Sequence, residues 1–250
     1  MTGANPTDRE NAELRASLAL AEATIAEQQR ELAQQVALSR TDALTGLANR
    51  RAFDSELARR LDERERTGTP ACLLLFDVDH FKKFNDRHGH TAGDYVLSTL
   101  AQALADVVRT MDLVARYGGE EFAIIMPTTQ LNEASSVGER IRRAVEACVF
   151  RIDELELKVT ISVGVAQLHP GELPEALIRR ADTALYAAKG AGRNCVRFHD
   201  GMRVWGLGPK AALAAISAEP LSEGREMADS LSSLCDDLRI RLAEVTGAQA

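Results

Sequence analysis

Eight consecutive residues, Ala71 to Val78 (ACLLLFDV), constrain this chain more than any other segment. The run is apolar apart from Asp77, and Thr67, Gly68, Thr69 and Pro70 break the chain just before it. A short apolar run between breakers fits a strand buried on both faces, which needs helices above and below. Its end is acidic, with Asp77 followed by Asp79. Carboxylates are rarely buried without a partner charge. Asp79 is read as facing away from Asp77.

Helical and strand patterns alternate around that run. Residues 50–66 place Phe53, Leu57 and Leu61 on one helical face. Residues 94–108, 132–148 and 174–189 read as further helices, and 113–116, 122–126, 158–166 and 195–198 as strands. The two strands flanking Gly118 and Gly119 read as a hairpin. This order predicts an α/β domain over residues 39–200, with a mixed, partly antiparallel sheet flanked by helices in two or three layers.

Residues 10–40 contain neither Gly nor Pro, and Leu18, Ile25 and Leu32 recur every seven residues. Leu14, Ala21, Gln28 and Gln35 fill the companion seam. The spacing predicts an N-terminal coiled-coil helix within 1–38, with a solitary amphipathic helix as the alternative. Residues 201–250 read as a linker containing Gly206, Gly208 and Pro209, followed by an amphipathic helix over 222–245. The sequence assigns that tail no role.

The net charge of -7 supplies no long-range field for polyanions, and 4% aromatic residues are too few for a base-stacking platform. Neither nucleic acid nor a membrane surface is expected as a partner. Cys72, Cys148, Cys195 and Cys235 lie far apart with no CxxC pairing, which suits a reducing compartment and no structural zinc. Met1 to Asn11 is polar, and no stretch has the length to span a bilayer. A cytoplasmic protein without a sensory domain ahead of residue 39 is the expectation.

Glu120 and Glu121 sit at the hairpin tip, where two glycines let a ligand approach the backbone. With Asp77 they can form a hard-oxygen site for Mg²⁺, or Mn²⁺ in its place, as nucleotidyl transfer requires. Solvated charges at a hairpin tip are the other reading, and the residues alone leave both open. His88 and His90 have loop spacing and no cysteine companions, which argues against a metal pair.

Arg116 to Phe122 (RYGGEEF) resembles the signature of the GGDEF family of diguanylate cyclases, in its GGEEF form. Four other segments resemble the family in the same order: Asp42 to Arg51 (DALTGLANRR), Phe76 to Asp86 (FDVDHFKKFND), Gly89 to Asp94 (GHTAGD) and Ala181 to Asn194 (ADTALYAAKGAGRN). The resemblance covers residues 40–198. It implies a fold similar to class III nucleotidyl cyclases and polymerase palm domains. It also implies condensation of two GTP into cyclic di-GMP with release of two pyrophosphates.

By that resemblance Asp77, Glu120 and the carbonyl of Val78 would hold Mg²⁺. Glu120, with Glu121 beside it, would activate the 3′-hydroxyl, and Lys82 would stabilise phosphate charge. Asn85 and Asp94 would read guanine, with His90 beside them. Gly118 and Gly119 would admit the triphosphate, and Lys189 and Arg193, four apart on one helical face, would hold its outer phosphates. Arg109 and Asp112, in an RxxD pattern, would bind the product as an inhibitor, with Arg140 as a second arginine.

Each residue also has a plainer reading. Lys189 and Arg193 suit a helix C-terminus. Asn85 suits an Asx-turn and His90 a turn. Arg109 and Asp112 suit a surface ion pair. One domain holds one GTP, so a homodimer is expected. A receptor for cyclic di-GMP or GTP is the rival function. A coiled-coil scaffold ranks behind both.

Overall fold

A computed structural model describes residues 6–38, 40–152 and 155–206. The chain divides into two units between Arg40 and Thr41. The first contains one helix, α1 (Pro6–Leu38), about 50 Å long at 1.5 Å per residue. On it Leu18 and Ile25 are 60% and 53% exposed, so this part of the heptad seam is not buried in the single chain. The side chains of Leu14 and Leu32, and the helix read over 222–245, lie outside the described residues.

The second unit is an α/β domain. Its elements are α2 (Arg50–Thr67), β1 (Ala71–Val78), α3 (Phe81–His88), α4 (His90–Val107), β2 (Leu113–Arg116), β3 (Glu121–Pro127), α5 (Leu131–Ala147), β4 (Phe150–Ile152), β5 (Leu155–Leu157), β6 (Ile161–Gln167), α6 (Pro174–Gly190), β7 (Val196–His199) and β8 (Val204–Gly206). The main sheet has the order β2-β3-β1-β6-β7-β8, and β4 pairs with β5 apart from it. Strands β6 and β7 are parallel, joined through α6, and every other neighbouring pair is antiparallel.

Strand β1 occupies the expected residues and is buried along its whole length. Alternation sorts its side chains into two cores. Cys72, Leu74, Phe76 and Val78 pack with Val96, Leu97 and Leu100 of α4 and Ile141 and Val145 of α5. Ala71, Leu73 and Leu75 pack with Phe53 and Leu57 of α2 and Leu177, Ala181 and Leu185 of α6. The domain therefore has three layers. Asp77 continues the second series, on the side of α6.

Several boundaries differ from the sequence reading. Residues 81–88 form a helix of their own, and α4 starts at His90 rather than Asp94. Gly89, at φ +85°, turns the chain between the two helices. Strand β6 begins at Ile161, three residues after Lys158, and is preceded by the short strands β4 and β5. Gly206, read as linker, ends β8 on the edge of the main sheet.

Gly164 on β6 sets the distance between α6 and the sheet. A Cβ there would lie 2.2 Å from the Ala181 carbonyl oxygen and 2.4 Å from the Leu185 nitrogen. Both are helix backbone and cannot swing aside as a side chain can. Gly164→Ala is expected to lower stability by about 1–3 kcal/mol, the usual cost of overpacking, measured by urea denaturation.

Candidate active site

The acidic end of β1 meets the tip of the β2–β3 hairpin. Asp77, only 6% exposed, lies opposite Glu121 on β3 and Ser162 on β6. The Val78 N–H donates to the Glu120 carbonyl at 3.3 Å, which draws the tip over the strand end. Tyr117 and Gly118 both donate their N–H groups to the Glu121 carbonyl, at 2.8 and 3.1 Å. The Glu121 side chain folds back over Gly118, where a Cβ would lie 2.3 Å from its Oε2. Gly119 faces open space.

Lys189, near the end of α6, places Nζ 2.7 Å from Asp77 Oδ2. Burial raises the pKa of Asp77, the Lys189 ammonium opposes that rise, Asp79 adds to it and Arg193 opposes it. Burial likewise raises Glu120, and the charges of Asp77 and Glu121 add to the rise against Lys189. Ionised carboxylates crowded in this way favour a bound cation.

No cluster of three or more His, Cys, Asp or Glu side chains suited to a metal occurs among the described residues. Asp77 and Glu120 make a pair, which suits Mg²⁺ when phosphate oxygens complete its coordination. The donors present therefore fit a divalent cation that shares a phosphorylated ligand.

The guanine-reading candidates come together across α3 and α4. Asn85 Oδ1 is buried with no hydrogen-bond partner, so the Asx-turn reading fails. It lies against Gly93, where a Cβ would be only 1.9 Å away. Asp94 follows Gly93 in the chain and is exposed, as are His90 at the start of α4 and Lys82 on α3.

Two placements correct the sequence reading. Arg193 does not share a helical face with Lys189. Helix α6 stops at Gly190, and Gly192 at φ +109° turns the chain away before Arg193. Asp79 does not face away from Asp77. Just past the end of β1, it accepts from Ser162, the strand partner of Asp77, and so lies on the same side.

Arg109 and Asp112 meet through the backbone. The Arg109 N–H donates to Asp112 Oδ2 at 3.0 Å, and the Asp112 N–H to the Arg109 carbonyl at 2.9 Å. Asp112 Oδ1 is buried and unpartnered, and burial raises the pKa of this carboxyl. Arg140 is exposed on α5.

The sequence reading gave Asp42 and Arg116 no role. The Arg116 guanidinium donates from Nη1 to Asp42 Oδ1 at 3.2 Å and from Nη2 to the Gly119 carbonyl at 2.8 Å. It thus ties the turn at residues 42–47 to the hairpin tip. Burial acts on Asp42 to raise its pKa, but the Thr45 hydrogen bonds and Arg116 outweigh that and lower it. The available signal was the position of Arg116, four residues before Glu120.

Comparison with known proteins bears on all of these residues. The family model described as "Diguanylate cyclase, GGDEF domain" matches residues 39–195. The chain is 44% identical over 154 residues to "Diguanylate cyclase DgcP" of Pseudomonas aeruginosa, covering 62% of this chain and 23% of that protein. It is 48% identical over 162 residues to "Response regulator PleD" of Caulobacter vibrioides, covering 64% of this chain and 36% of that protein. The match therefore spans less than two thirds of these relatives. The crystal structure of the coiled coil and GGDEF domain of DgcB from Caulobacter crescentus, in complex with c-di-GMP, superposes with a TM-score of 0.62 at 39% identity. That alignment covers 74% of this chain and 98% of the other. Family model, relatives and solved fold agree over the segment that carries the acidic hairpin, and the chain belongs to the GGDEF family.

Proposed function

We propose that this protein is a diguanylate cyclase, condensing two GTP into cyclic di-GMP and releasing two pyrophosphates. The observation that carries the reading is the Asp77–Lys189 ion pair at a strand end to which the Glu120 backbone is tied through Val78. Paired carboxylates next to cations suit a Mg²⁺–triphosphate. Asn85 offers a buried acceptor without a donor, and guanine presents an N–H and an amino group that adenine lacks in that arrangement. An ATP-bound site would leave the acceptor unpaired, which is a strong basis for rejection.

Asp77, Glu120 and the Val78 carbonyl would hold the metal. Bound Mg²⁺ neutralises phosphate charge and polarises the phosphoryl oxygens. Asn85 and Asp94 orient the base, with His90 at the rim. Gly119 leaves the hairpin backbone open to the phosphates. Lys82, Lys189 and Arg193 oppose the charge that develops there. Glu120 takes the proton as the 3′-hydroxyl attacks the α-phosphate of the other GTP, with Glu121 braced against the turn beside it. GTP is a cytoplasmic metabolite, and among the described residues no helix is long and apolar enough to cross a membrane. The enzyme would act in the cytoplasm.

The test is incubation of the pure protein with Mg²⁺ and GTP or ATP, with products separated by chromatography. Cyclic di-GMP should form from GTP, and ATP should yield no cyclic dinucleotide. A folded protein that binds cyclic di-GMP but makes none would leave the receptor function instead. Glu120→Gln is expected to reduce synthesis by about 10²–10³-fold with an unchanged circular dichroism spectrum, the usual scale for losing a group that stabilises the transition state. Near-parental synthesis by that variant would remove Glu120 from the chemistry.

Feedback inhibition is proposed at Arg109 and Asp112, with Arg140 as a further contact. The unpartnered Asp112 Oδ1 supports it, because a guanine edge can supply the missing donor. The DgcB structure was solved in complex with c-di-GMP. Arg109→Ala should weaken inhibition by added cyclic di-GMP by about 1.5–3 kcal/mol, the worth of a charged hydrogen bond. Unchanged inhibition would leave Arg109 and Asp112 a local turn.

Two GTP-loaded domains must face each other, so a homodimer is proposed through α1. Leu18 and Ile25 are exposed in the single chain at heptad spacing, and a helix seam of this kind is buried by a second copy. Ile25→Glu should yield monomers by light scattering. Its specific activity should fall in dilute solution and recover in part at high protein concentration. A monomeric variant with parental activity at every concentration would exclude α1 as the dimerising element.

A further inference from the structure

Asp79 is buried at 7% exposure, yet the chemistry proposed above does not use it. Its oxygens are already committed. Oδ1 accepts from the Ser162 hydroxyl at 2.7 Å, and Oδ2 accepts from the Thr160 hydroxyl at 2.7 Å and the Asn194 N–H at 3.0 Å. Ser162 and Thr160 hold it at the start of β6. Asn194 belongs to a different element, the turn that follows α6.

That turn has an uncommon shape. Gly192, Arg193 and Asn194 have φ of +109°, +68° and +46° in succession. Asparagine and glycine enter the left-handed region readily, whereas arginine does so rarely. Such a conformation persists only where its surroundings impose it. Here Asn194 is gripped on both sides. Its Oδ1 accepts from Arg142 Nη1 at 2.6 Å and its Nδ2 donates to Glu146 Oε1 at 2.6 Å. Arg142 is in turn forked onto Glu139, at 2.9 and 3.0 Å. The Arg193 N–H closes the end of α6 on the Ala188 carbonyl at 3.1 Å.

We propose that Asp79 and Asn194 are positioning residues that fix the turn carrying Arg193, so that its guanidinium is presented to the outer phosphates of the bound nucleotide. The inference rests on the cyclase reading of the site. A surface arginine with no fixed target needs no buried carboxylate and forked arginine to hold its backbone. The direction in which the turn is held is informative too, since the Arg193 charge acts on Asp77. Lys189 pairs with Asp77 from the helix, and Arg193 adds its charge from the left-handed turn beyond it.

The test compares two ligands on the full-length chain with Mg²⁺ by calorimetry. One is a GTP analogue with a methylene between the α and β phosphorus atoms, which cannot release pyrophosphate; the other is GMP, which lacks the outer phosphates. The parent should prefer the analogue. Asp79→Asn should reduce that preference by about tenfold, the scale of one charge-assisted contact, and leave GMP binding intact. In an Arg193→Ala background the same substitution should change the preference no further, since coupled residues are non-additive. A lower melting temperature with an unchanged preference would mean that Asp79 is only structural, and would overturn the proposal. So would full additivity with Arg193→Ala. If the parent shows no preference for the analogue over GMP, the cyclase reading of the site falls and this proposal falls with it. Should Asp79→Asn fail to fold, Asn194→Gly decides. It keeps the left-handed backbone and the N–H but loses the grip of Arg142 and Glu146, so reduced preference supports the proposal and unchanged preference overturns it.

Discussion

A carboxylate at the end of a buried apolar strand needs a positive partner, and for Asp77 that partner arrives on α6. The pairing depends on parity. Residues 71, 73 and 75 of β1 face α6, and Asp77 follows them to that side. It also depends on closeness. Gly164 lets the backbone of α6 lie directly on β6, at a distance any side chain would enlarge. Lys189 then reaches the strand end from a helix seated by the core itself. The site is therefore an extension of the core, with charge substituted where the apolar series stops.

Electrostatics there is arranged around a shortage of positive charge. Burial raises the pKa of both Asp77 and Glu120, the Asp79 charge adds to the rise at Asp77 and the Asp77 charge to that at Glu120, and Lys189 offsets this only in part. Asp79, close by, is supplied with neutral hydroxyl and amide donors. Adjacent acids in one motif thus have different physical environments, one facing a cation and the other built into the scaffold.

Local signals made much of this legible. The apolar run with its breakers located β1 to the residue, and paired glycines between short strands located the hairpin. Five short motifs in order identified the family. What escaped depended on contacts distant in sequence or on exact chain direction. The end of α6 hangs on Gly190 and Gly192, so a spacing of four between Lys189 and Arg193 no longer measures one helical turn. Helix α3 is eight residues long, with one residue between it and α4, which is too short for periodicity to separate. Strand β8 has three residues and exists by pairing with β7. The bonds of Asp79 to Thr160, Ser162 and Asn194 join residues that no local pattern connects.

The segment before α2 has a further consequence. Ala48 forms a parallel bridge with Ala115, donating to the Val114 carbonyl and accepting from the Arg116 N–H. Those groups belong to β2, the outermost strand on that side of the sheet, and unpaired groups on an edge strand are a template for another chain. The same few residues that anchor Arg116 therefore shield the sheet from uncontrolled strand addition. A break in this segment would cost solubility, through the self-association of an uncovered edge.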